Sequence, residues 1–319
     1  MDKKELLACH ERIKPYVHHT PVMSSSLIND QLGCSVFFKC ENFQRAGAYK
    51  IRGATHAILH IPEGRRKKGV VTHSSGNFAQ ALSLAARSLG IPAHIVMPET
   101  APSIKKAGVH TYGGTIYECA PTVEAREAMS AEIGQKTGAT FLHPSNDDHV
   151  ILGQGTAALE LLFEHPGLNA IFCPVGGGGL IAGSALAAAY FGKDCAVLGG
   201  EPFEADDAYR SMLSGTIEGN DTVNTIADGL KTVLGDRNFP IIQAHVSKIV
   251  RVTEMEIVEA MRLVWERMKI IIEASSAVTL AALIRDVSDH PNHYKGKAIG
   301  IIISGGNVDL DKLPFQKLG

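Results

Sequence analysis

The chain has 319 residues, 45% hydrophobic and 20% charged, with a formal net charge of −2. That length fits one large or two medium domains around a sizeable core. A near-neutral chain without a basic run interleaved with aromatics has no electrostatic grip on nucleic acid or an anionic membrane.

Near-continuous apolar runs alternate with helical patterns along the chain. Strands are predicted at 35–40, 69–73, 93–98, 115–119, 170–175, 196–200 and 298–304. Their unbroken apolarity predicts burial on both faces, as in parallel sheets with crossover helices. Helices are predicted from Asn77 to Leu89, ending at Gly90, and from Thr122 to Thr137, ending at Gly138. Further helices are expected at 154–164, 180–190 and 253–268, the last opened by a Thr253-x-x-Glu256 capping box. Trp265 falls in that stretch and reads as core. The charged start, Met1 to Glu5, leads into an amphipathic segment rather than a signal core, and no apolar run is long enough to span a bilayer. Cys9, Cys34, Cys40, Cys119, Cys173 and Cys195 lack short paired spacing, so buried free thiols in a reducing cytoplasm are expected.

Three segments carry chemistry. Lys50 follows a turn-prone Ala46-Gly47 and sits among small and aromatic residues. Gly176-Gly177-Gly178-Gly179 joins a buried-type strand to an alanine-rich helix. Consecutive glycines let several N–H groups converge on a phosphate, and the helix start adds partial positive charge. A flexible turn is the plain alternative, but strand before and helix after favour an anion site. Ser74-Ser75-Gly76-Asn77 also lies between strand and helix, where it cradles a carboxylate or merely caps the helix; taken alone, capping explains it better. An amine able to condense with an aldehyde and a phosphate loop are the two grips that pyridoxal phosphate needs. No G-K-[ST] ending and no G-x-G-x-x-G with an acidic partner downstream favours a nucleotide or a nicotinamide dehydrogenase.

The blocks Ala48-Tyr49-Lys50-Ile51-Arg52-Gly53, Ser74 to Asn77, Gly176 to Gly179 and Ser304-Gly305-Gly306-Asn307 occur in the order and spacing of the serine racemase and serine/threonine (hydroxyaspartate) dehydratase family. The resemblance runs from about His18 to Asp309. It implies a two-domain α/β fold of the tryptophan-synthase-β-like type (fold-type II), with parallel sheets flanked by helices and pyridoxal phosphate in the interdomain cleft. The division it suggests is a large cofactor-binding domain from 1–55 and 147–319 and a small mobile domain from 56–146.

Carried over residue by residue, the resemblance assigns Lys50 to hold the cofactor and remove the α-proton on one face. It assigns Asn77 to the phenolic oxygen, Gly176, Gly177, Gly178 and Gly179 to the phosphate, and Ser304 to the pyridine nitrogen. A hydroxyl at Ser304 cannot enforce a protonated ring as a carboxylate would. Ser74, Ser75 and Asn77 are assigned to the substrate carboxylate, and Ser75 matches the opposite-face acid/base of the racemases. Arg126 matches a substrate-side arginine, with a solvated helix charge as the plain alternative. Glu201, the Ala205 carbonyl and Asp207 match a loop for Mg2+, Ca2+ or Mn2+, whose hard ions take oxygen ligands. A homodimer and ATP as an effector are expected on the same ground. The implied activity is β-elimination of a β-hydroxy amino acid such as serine, threonine or 3-hydroxyaspartate to a 2-keto acid and ammonia. Serine or aspartate racemisation by Lys50 and Ser75 is the alternative, and a silent cofactor carrier is a third reading that retention of every cofactor residue opposes. The chain departs from the pattern at two places: Phe78 replaces a usual histidine, and Ala48-Tyr49 replaces Ser-Phe. Arg126, His143 and His149 are candidates to meet a second substrate carboxylate.

Overall fold

A computed structural model describes residues 1–101 and 103–315. The chain opens with α1 (Lys3–Ile13), β1 (Val22–Met23), α2 (Ser26–Leu32), β2 (Ser35–Cys40), α3 (Lys50–His60) and α4 (Glu63–Arg66). There follow β3 (Val70–His73), α5 (Asn77–Ser88), β4 (Ala93–Pro98), α6 (Ser103–Thr111), β5 (Thr115–Cys119), α7 (Val123–Thr137) and β6 (Thr140–Phe141). Next come α8 (Asp148–Glu164), β7 (Ala170–Pro174), α9 (Gly179–Phe191), β8 (Ala196–Pro202), α10 (Asp207–Ser214), α11 (Phe239–His245) and β9 (Lys248–Val252). The last elements are α12 (Glu254–Met268), α13 (Ala274–Asp289), α14 (Pro291–Tyr294) and β10 (Ala298–Ile303).

Two sheets form. The six-stranded one has the order β1-β2-β10-β7-β8-β9, parallel except for β1 at its edge. The four-stranded one, β5-β4-β3-β6, is parallel throughout and is built from the chain between α3 and α8. Strand β7 is buried along its whole length, as its unbroken apolar sequence requires. Helices cover both faces of the large sheet. Cys9, Cys34, Cys40, Cys119 and Cys173 are buried free thiols, and Cys195 is half-buried.

The seven predicted strands form, several to the residue. Three others escape the pattern. β1 and β6 have two residues each, too few to display a period, and β9 carries Lys248 and Arg251. Helix α12 begins with the expected capping box, Thr253 and Glu256 capping each other's backbone N–H groups. Trp265 packs half-buried at the core's edge and donates from Nε1 to the Ile272 carbonyl at 3.0 Å. Helix α8 begins at Asp148 rather than near Gln154, because the Asp147 side chain accepts from the N–H groups of His149 and Val150. Helices α3 and α13 carry no strong sequence signal. Packing stabilises α3, which lies between α5 and α8 and crosses α8 backbone to backbone: a Cβ on Gly153 would stand 2.5 Å from the Gly53 Cα. Among the described residues no helix is long and apolar enough to cross a membrane.

Candidate active site

Each motif sits where a parallel strand ends. Lys50 follows β2, the Ser74–Asn77 turn follows β3, Gly176–Gly179 follows β7 and Ser304 follows β10. Carboxyl ends of parallel strands share one edge of a sheet, so residues far apart in sequence gather in one cleft. The segment before Lys50 is pinned to the last motif. Ala48 bridges to Gly305, the Tyr49 N–H donates to the Ser304 carbonyl at 3.0 Å, and the Gly306 N–H donates to the Gly47 carbonyl at 2.9 Å.

Lys50 is the first residue of α3. Its Nζ donates to the Pro144 carbonyl at 3.0 Å, and the amine lies 5.1 Å from the Tyr49 ring centre and 5.9 Å from that of Phe78. Burial lowers its pKa to about 8, against the opposing pull of the Glu273 carboxylate. Phe78 is buried and packs within the core of the four-stranded sheet, with the amine over its ring.

Asn77 starts α5. Its Nδ2 donates to both oxygens of Glu273, at 2.9 and 3.1 Å, and its Oδ1 accepts from Asn307 Nδ2 at 3.0 Å. The Asn307 backbone N–H closes the cluster on Glu273 Oε2 at 3.1 Å. Glu273, at the start of α13, is pushed up to about 7, first by burial and then by the charge of Asp228. These contacts tie the four-stranded sheet's helix α5 to the large sheet's helix α13. Sequence reasoning missed Glu273. Its signal is a lone carboxylate between Ile270-Ile271-Ile272 and Ala274, in a run where every other residue is apolar or small.

The glycine loop fits a phosphate. Gly178 has φ +77°, Gly179 begins α9, and no side chain caps the helix, so its first N–H groups are free for an anion. A Cβ would strike Leu230 at Gly176, Ser145 at Gly177 and Gly179, and Asn238 at Gly178, so only glycine lets the backbone line the site. Ser145 adjoins Pro144, the acceptor of the Lys50 amine, so loop and lysine share a wall. Ser304 is buried, with its hydroxyl 2.9 Å from that of Ser276. Ser276 donates its one hydroxyl proton to the Gly305 carbonyl at 2.7 Å, so Ser304 is the donor between the two hydroxyls, with a proton it can turn to a ring nitrogen instead.

Ser74 and Ser75 are half-buried, and Gly76 rather than either serine is the N-cap of α5. No side chain caps that helix, so the bland capping explanation gives way to an open set of N–H groups. His143 lies close to Lys50. Its Nδ1 accepts from the N–H groups of Ser145 and Asn146 at 3.2 and 2.8 Å, which leaves Nε2 as the protonated nitrogen. Burial, then His73 and Lys50, push it down to about 4 and keep it neutral. Arg126 is half-buried on α7 and donates from Nε to the Thr122 carbonyl at 3.2 Å. Its charge acts on His73, whose ring meets His143 edge-on at 5.9 Å, so it borders the cleft through those two rings. His149 is placed elsewhere, against His56 and His60.

Glu201 and Asp207 flank the end of β8, both fully buried, with Ala205 between them. Glu201 accepts from the N–H groups of Ala208 and Tyr209 at 3.1 and 2.8 Å, and Asp207 from Asn220 Nδ2 at 2.6 Å. Burial and the neighbouring Asp207 charge hold Glu201 far above its ordinary value, and burial lifts Asp207 to about 6. Arg210 and Arg251 turn to Asp206 instead. Among the described residues no basic side chain pairs with either buried carboxylate, an arrangement that fits a hard divalent cation.

A family model described as pyridoxal-phosphate dependent enzyme matches residues 13–305. The chain belongs to that family. This pyridoxal-phosphate dependent enzyme is 47% identical over 313 residues to the β-hydroxyaspartate dehydratase of Paracoccus denitrificans, covering 98% of each chain. It is 42% identical over 309 residues to the L-threo-3-hydroxyaspartate ammonia-lyase of Saccharomyces cerevisiae, covering 97% of this chain and 94% of the relative. The crystal structure of serine racemase from Dictyostelium discoideum superposes with a TM-score of 0.92 at 47% identity, over 97% of this chain and 99% of that one. The α/β architecture of the enzyme is thus that of the fold-type II group.

Proposed function

We propose that this enzyme eliminates water from a β-hydroxy amino acid, with a 2-keto acid and ammonia as final products. The observation that carries the reading is the Lys50 amine, desolvated to a pKa of about 8 and fixed on the Pro144 carbonyl beside the glycine loop. Such an amine is partly neutral at physiological pH and can accept a proton. The names of the two hydroxyaspartate-acting relatives support the substrate class: serine, threonine or 3-hydroxyaspartate.

Bound pyridoxal phosphate supplies an electron sink for the pair left when the α-proton departs. The glycine loop and the start of α9 hold its phosphate, Ser304 faces its ring nitrogen, and Asn77, set by Glu273, faces its phenolic oxygen. The Ser74–Asn77 turn binds the substrate carboxylate with uncapped N–H groups. Lys50 takes the α-proton and returns it to the departing β-hydroxyl, which leaves as water. The released enamine adds water and sheds ammonia, so no redox partner is needed. Neutral His143, with a proton on Nε2, and Arg126 behind His73 provide donors on the side from which a second carboxylate would approach.

Racemisation is the second reading, favoured by Ser75 and by the similarity to a serine racemase. Here Lys50 and Ser75 work on opposite faces. Ser75→Ala then stops interconversion of enantiomers by ~10²-fold or more while elimination from one enantiomer persists. Parallel loss of both activities would refute that division. The proposal extends to Mg2+ or a similar ion on Glu201, Ala205 and Asp207, a homodimer responsive to ATP, a cytoplasmic address, and residues 56–146 as a mobile small domain.

The test is keto-acid release by the enzyme with pyridoxal phosphate and Mg2+, across both enantiomers of serine and threonine and all stereoisomers of 3-hydroxyaspartate. Release from one of them establishes the elimination and its substrate class. Absence of release, with a cofactor absorbance change and chiral interconversion, replaces elimination by racemisation.

A further inference from the structure

His56 and His60 stand one turn apart on the same face of α3, the spacing at which two imidazoles reach a common point. His149, in the first turn of α8, lies across from them and stacks on His60 with ring centres 4.0 Å apart. One ring nitrogen from each of the three lies within 4.8 Å of the others. The two helices are held at closest approach by Gly53 and Gly153, so this spacing is built into the core.

The second nitrogens fix the tautomers. His56 Nδ1 is 2.8 Å from the His149 carbonyl, and His60 Nδ1 is 3.1 Å from the His56 carbonyl. A carbonyl only accepts, so each Nδ1 carries the proton and each Nε2 offers a lone pair. A backbone carbonyl on the second nitrogen is the arrangement that orients metal-bound histidines. Both lone pairs converge on a cation already there: Arg12 Nη1 lies 3.3 Å from His56 Nε2 and 2.8 Å from His60 Nε2. Burial keeps His56 neutral, as a ligand must be. Arg12 lies at the exposed surface of α1, so its side chain can swing into water and vacate the point of convergence.

We propose that His56, His60 and His149 form a transition-metal site, distinct from the Glu201–Asp207 carboxylates, which Arg12 occupies in the metal's absence. Three imidazole nitrogens without a carboxylate select Zn2+, Cu2+ or Ni2+ over Mg2+ or Ca2+, and three ligands leave a position for water. Since α3 begins at Lys50, the metal clamps the lysine's helix to α8, with His56 about 9 Å along the axis from Lys50.

Zn2+ titration of the holoenzyme by calorimetry tests this, with Mg2+ in excess to keep the carboxylate pair out of the reading. A single Zn2+ is expected to bind per chain. His60→Ala and His149→Ala each weaken it by more than the ~10–100-fold that loss of a supporting hydrogen bond costs. Arg12→Ala removes the competing cation and tightens it. Co2+ bound at the same site gives a visible band in the wild type that both histidine variants lose. Binding that survives both variants places Zn2+ elsewhere and overturns the proposal. No binding by either the wild type or Arg12→Ala overturns it equally.

Discussion

Lys50→Ala abolishes turnover, by at least ~10³-fold, in an enzyme that still folds. The side chain makes one hydrogen bond, to the Pro144 carbonyl, and its amine is lowered to about 8 by burial, so its removal leaves no buried charge unpaired. Unchanged thermal unfolding beside lost activity and a lost covalent cofactor absorbance is the expected pattern. Retained turnover would sink the assignment of Lys50. The same pKa sets a pH dependence for cofactor uptake by the apoenzyme. The lysine attacks the aldehyde only as a neutral amine, and a lowered pKa means that it is neutral above about 8. The uptake rate therefore rises about tenfold per pH unit well below that value and levels off above it. A profile still rising near pH 10 would show an ordinary, solvated lysine.

Arg52→Ala destabilises the fold by ~3–5 kcal/mol. Arg52 is fully buried and holds two carboxylates with two-pronged hydrogen bonds. Nε and Nη2 donate to Glu41 at 2.8 Å each, and Nη1 and Nη2 donate to Glu160 at 2.7 and 2.8 Å. Lys39 adds a contact to Glu160 at 2.8 Å. Alanine leaves Glu41 in the core without a cationic partner and Glu160 with Lys39 in place of its two-pronged guanidinium; Arg52→Lys keeps the charge but cannot make both forks, and loses an intermediate amount. The hydrogen bonds and charges around Glu160 hold it far below the ordinary carboxylate range against the cost of burial. A depressed folded-state pKa adds stability above the unfolded carboxylate pKa, lost as pH falls. The gap between wild type and Arg52→Ala is therefore full near neutral pH and narrows below about pH 4, where Glu160 takes up a proton in the unfolded chain that the wild-type fold refuses. Urea unfolding at the two pH values measures it. A gap under about 1 kcal/mol at neutral pH would mean that the network adds little.

Local chemistry explains what was legible in the sequence. The strand at 93–98 forms as read because its run Ile95-Val96-Met97 is buried inside the small sheet, while 115–119 forms at that sheet's edge, with Thr115 and Glu118 exposed. Gly176–Gly179 between strand and helix, and Thr253 with Glu256, signal their geometry because glycine φ freedom and helix capping act within a few residues. Lys50 stood out through its company and its order with three other blocks. Tertiary structure decided the rest. Glu273 sits 196 residues from Asn77, and only folding places its carboxylate on that asparagine. Its raised pKa comes from burial, which the chain acquires only when α13 docks. Helix α3 is held by packing against α5 and α8 rather than by propensity. His149, a candidate for the substrate side, faces His56 and His60 because α8 begins at Asp148, capped by Asp147, and crosses α3 at Gly153. The sequence alone determined the seven apolar strands and the glycine loop between strand and helix, since those depend on neighbours along the chain. Which charges are desolvated, and which side chains meet across the cleft, depends on contacts between distant segments that exist only in the folded chain.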